Sequence, residues 1–126
     1  MNWTTLLVVA AVIGVILLLK RWGQISAPQA LAHLKNGAMV IDVRSAGEFS
    51  AGHLANAVNI PLEELAAVVP RRVRDKQQVL LLHCLSGTRS GLAKGKLKRL
   101  GYPNVFNLGS YRRAESILNS RQKNRI

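Results

Sequence analysis

The chain has 126 residues, with 18 lysines and arginines against 6 aspartates and glutamates, a net charge of +12 and one cysteine. That length supports one compact domain and no second one, and a lone cysteine excludes an intramolecular disulfide. The basic balance invites a nucleic-acid reading, but no aromatic residues interleave with Arg71, Arg72, Arg74 and Lys76, or with Lys94, Lys96, Lys98 and Arg99, to stack bases, so no nucleic-acid partner is expected.

From the N-terminus, residues 6–19 contain no charged or strongly polar side chain. With Trp3, Thr4 and Thr5 the stretch approaches the roughly 20 residues needed to cross a bilayer. In a helix Trp3 and Trp22 stand roughly 28 Å apart, matching aromatic belts at two interfaces. Residues 1–22 are therefore predicted to be a transmembrane helix with the lipid bilayer as partner. A cleaved signal peptide is the competing reading, but the first five residues lack the basic side chains of an n-region, and Lys20 and Arg21 follow the apolar run instead. This asymmetry predicts a single-pass membrane protein with its C-terminal domain in the cytoplasm, at the inner membrane if the source is bacterial. The basic surface would then be drawn to an anionic leaflet.

Residues 23–25 read as a short linker. Ser26 with Gln29 has the spacing of a capping box and opens a helix carrying Leu31 and Leu34, which Asn36 and Gly37 stop. A strand is predicted over 38–43. Ser45 with Glu48 repeats the capping box in a short helix ending at Gly52, and 57–60 form a small strand that Pro61 terminates. Leu62, Leu65 and Val69 indicate another short helix. The run Val79, Leu80, Leu81, Leu82 is continuously apolar, as in a parallel strand buried on both faces. A helix over 90–100 puts Leu92, Ala93, Leu97 and Leu100 on one face, with Gly101 where a left-handed cap falls. A strand over 105–108 and a helix over 111–118 follow, and 119–126, with Arg121, Lys123 and Arg125, read as a disordered basic tail. Such alternation implies an α/β layered domain over 26–118 with a mostly parallel sheet flanked by helices.

Chemistry concentrates in His83, Cys84, Leu85, Ser86, Gly87, Thr88, Arg89 and Ser90, which join a buried strand to a helix. Unpaired N–H groups and the helix dipole at such a junction stabilise a thiolate or a bound oxyanion, so the pKa of Cys84 should fall and the residue should act as a nucleophile. Arg89 can grip two oxygens of an anion in its planar fork. Gly87 permits positive φ and close approach of backbone amides. Ser86, Thr88 and Ser90 offer hydroxyl donors or serve as loop and cap residues, and Leu85 completes the loop. His83 is expected to bond to backbone and His53 to serve a turn, while Asp42 at the end of the first core strand could be taken for an acid or base. No metal or cofactor is expected.

The spacing Cys84-x-x-Gly87-x-Arg89-Ser90, with Ala93 three residues on, resembles the active-site loop of the rhodanese family of sulfurtransferases. The resemblance extends upstream through Val40-Ile41-Asp42-Val43-Arg44, Glu48, Gly52-His53-Leu54 and Ala57-Val58-Asn59-Ile60-Pro61, and downstream through Gly101-Tyr102 and Val105-Phe106-Asn107-Leu108. It implies a rhodanese-like fold, Cys84 as carrier of a sulfane sulfur, Arg89 as anion clamp, a structural Asp42 with Arg44 and Glu48 pairing nearby, a small-molecule donor such as thiosulfate, and a thiol or cyanide acceptor. The chain departs from many members in carrying Gly109-Ser110-Tyr111 in place of a Gly-Gly pair and a tryptophan. Protein tyrosine phosphatases carry five residues between their cysteine and arginine; here four intervene, the ring closes more tightly, and the family resemblance implies room for a sulfane sulfur rather than a phosphoryl group. A non-enzymatic binding or stress-sensing module of the same fold is the alternative.

Overall fold

The computed structural model describes residues 2–123 and every side chain among them except those of 20–22. After helix α1 (Trp3–Trp22), the order is α2 (Ala27–Lys35), β1 (Met39–Asp42), α3 (Ala46–Ala51), β2 (Val58–Asn59), a 3-10 turn (Leu62–Glu64), α4 (Leu65–Arg72), β3 (Leu80–His83), α5 (Thr88–Arg99), β4 (Val105–Gly109) and α6 (Tyr111–Lys123). The four strands form one parallel sheet in the order β2-β1-β3-β4. Each element between 26 and 118 that the pattern of apolar and capping residues predicts is present. The capping box of α3 is complete, with Ser45 accepting from the Glu48 N–H and Glu48 accepting from the Ser45 N–H. At α2, Ser26 accepts from the Gln29 N–H at 3.4 Å.

Alternation along the strands builds two cores. Ile41, Leu80 and Leu82 face the layer of α4 and α5, where Leu65, Val69 and Leu97 meet them. Val40 and Leu81 face the layer of α2 and α6, against Leu34 and Ile117. The sheet is therefore sandwiched between helices, as its unbroken apolar third strand requires. Tyr102 donates to the Val73 carbonyl at 2.6 Å and so ties the end of α5 to the end of α4.

The strand order places a topological switch at the centre of the sheet. The chain runs from β1 to β2 on one side, and from β3 to β4 on the other. The segments leaving the C-terminal ends of β1 and β3 part there, and open α/β sheets form their crevice at that place.

Three expectations at the ends of the chain are corrected. The apolar run 6–19 has fourteen residues, about 21 Å of helix, against a hydrocarbon core of about 30 Å. No helix among the described residues is long and apolar enough to cross a membrane. The transmembrane helix is withdrawn, and with it the single-pass cytoplasmic placement and the lipid partner; the roles given to Lys20, Arg21 and Trp22 lie outside the described side chains. Residues 23–25 are not a free linker, because Gln24 bridges to Asn107, the Ile25 N–H donates to the Asn107 carbonyl at 3.0 Å, and Ile25 is buried. Helix α6 continues past Leu118 to Lys123, so residues 119–123 of the tail expected to be disordered are helical, and 124–126 lie outside the described residues.

Burial on both faces has a measurable consequence. Leu81→Ala and Leu82→Ala, adjacent in β3 but on opposite cores, should each lower unfolding stability by about 2–5 kcal/mol in urea titrations. A near-neutral effect for either one would mean that its face is open to solvent.

Candidate active site

Between the end of β3 at His83 and the start of α5 at Thr88 the chain has four residues, Cys84, Leu85, Ser86 and Gly87. It turns because Gly87 adopts a left-handed conformation, φ +95°. A side chain there would be strained, and its Cβ would lie 3.3 Å from Gly109 backbone atoms. Helix α5 thus begins two residues before the predicted start, and Arg89 and Ser90 belong to its first turn.

Gly87 sits at the N-cap of α5 and offers no capping side chain. The sulfur of Cys84 takes that place. Its Sγ accepts from the Gly87 N–H at 2.9 Å and from the Ser90 N–H at 3.4 Å, with Ser90 Oγ 3.5 Å away. Capping oxygens accept from the same third position of a helix. Cys84 is free and fully buried. Burial pushes its thiol up, but hydrogen bonds from the Ser90 hydroxyl and from the N–H groups of Ser90, Gly87 and Ser86 outweigh it, and the pKa falls below the ordinary 9.0.

The other loop residues divide by role. Ser90 is buried and has one proton for three acceptors: Asn107 Oδ1 at 2.7 Å, the Gly87 carbonyl at 3.1 Å and Cys84 Sγ. Ser86 Oγ and Thr88 Oγ1 lie 3.4 Å apart on the outside, and neither hydroxyl bonds to the sulfur. Leu85 is exposed beside the buried cysteine. His83 Nδ1 lies 3.3 Å from the Cys84 carbonyl, the backbone contact expected of it. His53 Nδ1 lies 2.9 Å from the Phe49 carbonyl at the end of α3.

Two residues outside the loop also shape the site, and neither was among the predicted site residues. Asn107 in β4 accepts from Ser90 Oγ and from the Gly109 N–H at 2.8 Å, and donates to the Gly87 carbonyl at 3.2 Å. It latches the loop to the neighbouring strand. A buried asparagine in the otherwise apolar run Val105, Phe106, Leu108 was the available signal. The second is Glu48 on α3, whose two carboxylate oxygens accept from Arg89 Nη1 and Nη2 at 2.6 and 3.0 Å. This pairing, with secondary bonds from Ser45, holds Glu48 down at about 2 from the ordinary 4.5. The pair is thus intact above pH 4.5 and comes apart only as the pH falls through about 2.

The expected pairing of Arg44 with Glu48 is corrected. Arg44 turns inward and grips Asp42 through Nε at 3.0 Å and Nη2 at 2.7 Å, with a further bond from Nη2 to the Gly52 carbonyl. Asp42 is thereby structural. Buried His83 is pushed down by desolvation, against the opposing pull of Asp42 3.8 Å from its Nε2. Tyr111 closes this cluster, with Arg44 over its ring at 4.8 Å and His83 edge-on at 5.8 Å. The Tyr111 N–H donates to the Leu85 carbonyl. Gly109-Ser110-Tyr111 therefore packs the last helix directly onto the loop.

Comparison with known proteins places this arrangement. A family model described as Rhodanese-like domain matches residues 26–113. Thiosulfate sulfurtransferase PspE of Escherichia coli is 38% identical over 69 residues, 55% of this chain and 66% of that protein, just under two thirds of its length. Thiosulfate sulfurtransferase GlpE of Pseudomonas entomophila is 32% identical over 85 residues, 68% of this chain and 76% of that protein. The solved structure of human single-domain sulfurtransferase TSTD1 superposes with a TM-score of 0.64 at 29% identity, covering 75% of this chain and 96% of that one.

The left-handed turn can be tested directly. Gly87→Ala should cost about 1–2 kcal/mol from φ alone, read as a lowered urea midpoint, and should slow alkylation of Cys84 by moving the Gly87 N–H off the sulfur. Unchanged stability and unchanged alkylation would show that the turn does not depend on glycine.

Proposed function

We propose that the chain, which belongs to the rhodanese-like domain family, is a sulfurtransferase that carries a sulfane sulfur on Cys84. The observation that carries the reading is the convergence of the Gly87 and Ser90 N–H groups on Cys84 Sγ. Relatives named as thiosulfate sulfurtransferases support sulfur transfer as the chemistry.

Two displacements account for turnover. The Cys84 thiolate attacks the outer sulfur of a donor such as thiosulfate, the S–S bond of the donor breaks, and sulfite leaves with the bonding electrons. The terminal sulfur of the resulting persulfide is anionic, and the loop N–H groups and the positive end of α5 favour that charge. An acceptor thiolate or cyanide then attacks the terminal sulfur, and Cys84 departs as thiolate. Arg89 supplies the fork for the sulfonate oxygens of the donor. Ser90 and Asn107 hold the loop in register with the sulfur. With one cysteine in the chain, the persulfide has no internal thiol to resolve it and waits for an external acceptor.

The loaded form should therefore accumulate. Intact mass after thiosulfate treatment without acceptor should show one added sulfur atom, removed by a small thiol and missing in Cys84→Ser. No adduct on folded protein would favour the non-enzymatic module. Release of phosphate from aryl phosphates in place of sulfur transfer would favour the phosphatase reading.

A further inference from the structure

The sulfonate clamp is occupied. Arg89 spends Nη1 and Nη2 on the two oxygens of Glu48 at 2.6 and 3.0 Å, the same two-donor, two-acceptor match that a sulfonate would make. Glu48 reaches it from the far side of the switch point, since α3 follows β1 whereas α5 follows β3. Its carboxylate is also aimed, because Oε1 accepts from the Ser45 N–H at 3.2 Å and from Ser45 Oγ at 3.1 Å within the capping box. Glu48 is thus committed to Arg89 by a local device of its own helix, and ordering it costs the pair little.

The pair nevertheless stays within reach of solvent. The side chains of Arg89 and Glu48 are 35% and 32% exposed, against 7% and 0% for Arg44 and Asp42. Partly exposed ion pairs are weak, and an arriving anion can displace them; the buried one is fixed. The pair beside the cysteine loop is therefore exchangeable, while the pair beneath it is structural.

We propose that Glu48 is the specificity-determining residue of the site: its carboxylate occupies the Arg89 fork in the free protein, and a sulfonate-bearing donor loads Cys84 by displacing it. The inference rests on the sulfurtransferase reading and adds the selection rule. A donor must present oxyanion geometry and charge at least equal to those of a carboxylate to gain the clamp. Donors without oxyanions, such as a hydropersulfide of a small uncharged thiol, approach Cys84 without using Arg89. In that reaction the thiolate takes the outer sulfur and the parent thiolate leaves, so Glu48 does not compete.

The experiment compares wild type with Glu48→Gln, which keeps the capping-box acceptor and removes the charge. Persulfide formation on Cys84 is followed as a single-turnover loading rate against donor concentration, with KM the half-saturating concentration and kcat the limiting loading rate, for thiosulfate and, separately, for 2-mercaptoethanol hydropersulfide. The expected result is a KM for thiosulfate lowered roughly threefold to fivefold, so that the preference for thiosulfate over hydropersulfide, as a ratio of kcat/KM values, rises by the same factor. Glu48→Asp, which withdraws the carboxylate by one methylene, should shift the KM in the same direction by less and serves if the glutamine variant does not fold. A KM that is unchanged or raised would overturn the proposal, because Glu48 would then merely orient Arg89. An equal change with both donors would overturn it too, as a general effect on Cys84. If wild type accepts sulfur from neither donor, the sulfurtransferase reading itself falls; if it loads from thiosulfate and only the KM shift is missing, that reading stands without the competition.

Discussion

A helix whose N-cap is glycine has no side chain to satisfy its first N–H groups, and in α5 the sulfur of the residue three positions before that glycine does so instead. The local design of the site follows from this substitution. The left-handed turn at Gly87 brings the chain back over Cys84, the Ser90 N–H that a capping serine or aspartate would ordinarily engage and the N–H of Gly87 itself converge on Sγ, and the helix dipole adds to their field. Because the sulfur is buried, the alternative to these bonds is an unsolvated thiol. The structural need of the helix end and the chemical need of a thiolate are met by the same contacts.

Around this cap the fold arranges two ion pairs of different character. Asp42 with Arg44 is buried at the end of β1, where an unpaired charge would be costly; the Asp42 carboxylate accepts from the Arg44 N–H in the turn before α3, and Arg44 donates to the Gly52 carbonyl at the far end of that helix. Helix α3 then delivers Glu48 to Arg89. The exchangeable pair depends on the fixed one for its position. Asn107 supplies the corresponding support from the opposite side, joining the loop and the first turn of α5 to β4 by two hydrogen bonds, to Gly87 and from Ser90. A site on a short loop is thus held from both neighbouring strands, in keeping with the need for its N–H groups to be set before charge develops.

What was legible in the sequence was what local chemistry decides. The box of Ser45 and Glu48, the apolar run of β3, the left-handed Gly101 and the cysteine loop depend on neighbours within a few residues, and each is found where the pattern places it. Partners far apart in sequence were not legible. Arg44 was expected to pair with Glu48, but it turns to Asp42 two residues back, and the fold brings Arg89, 41 residues away, to Glu48. Asn107 could be seen as a polar residue in an apolar strand, yet its long-range partners, Ser90 and Gly87, reach it only once β3 and β4 pair. The start of α5 was placed two residues late because a left-handed N-cap glycine reads as loop. At the N-terminus composition outweighed length, since fourteen apolar residues fall short of a bilayer.

The most direct test of the sulfur-capped helix is the ionisation of Cys84 itself, and as the only cysteine it gives an unmixed signal. Thiolate absorbance, or the rate of alkylation, should be followed against pH in the unmodified protein. Hydrogen bonds from the Ser90 hydroxyl and the loop N–H groups, outweighing burial, predict a midpoint below the ordinary 9.0. A midpoint at or above that value would mean that burial dominates and that the loop does not activate the sulfur.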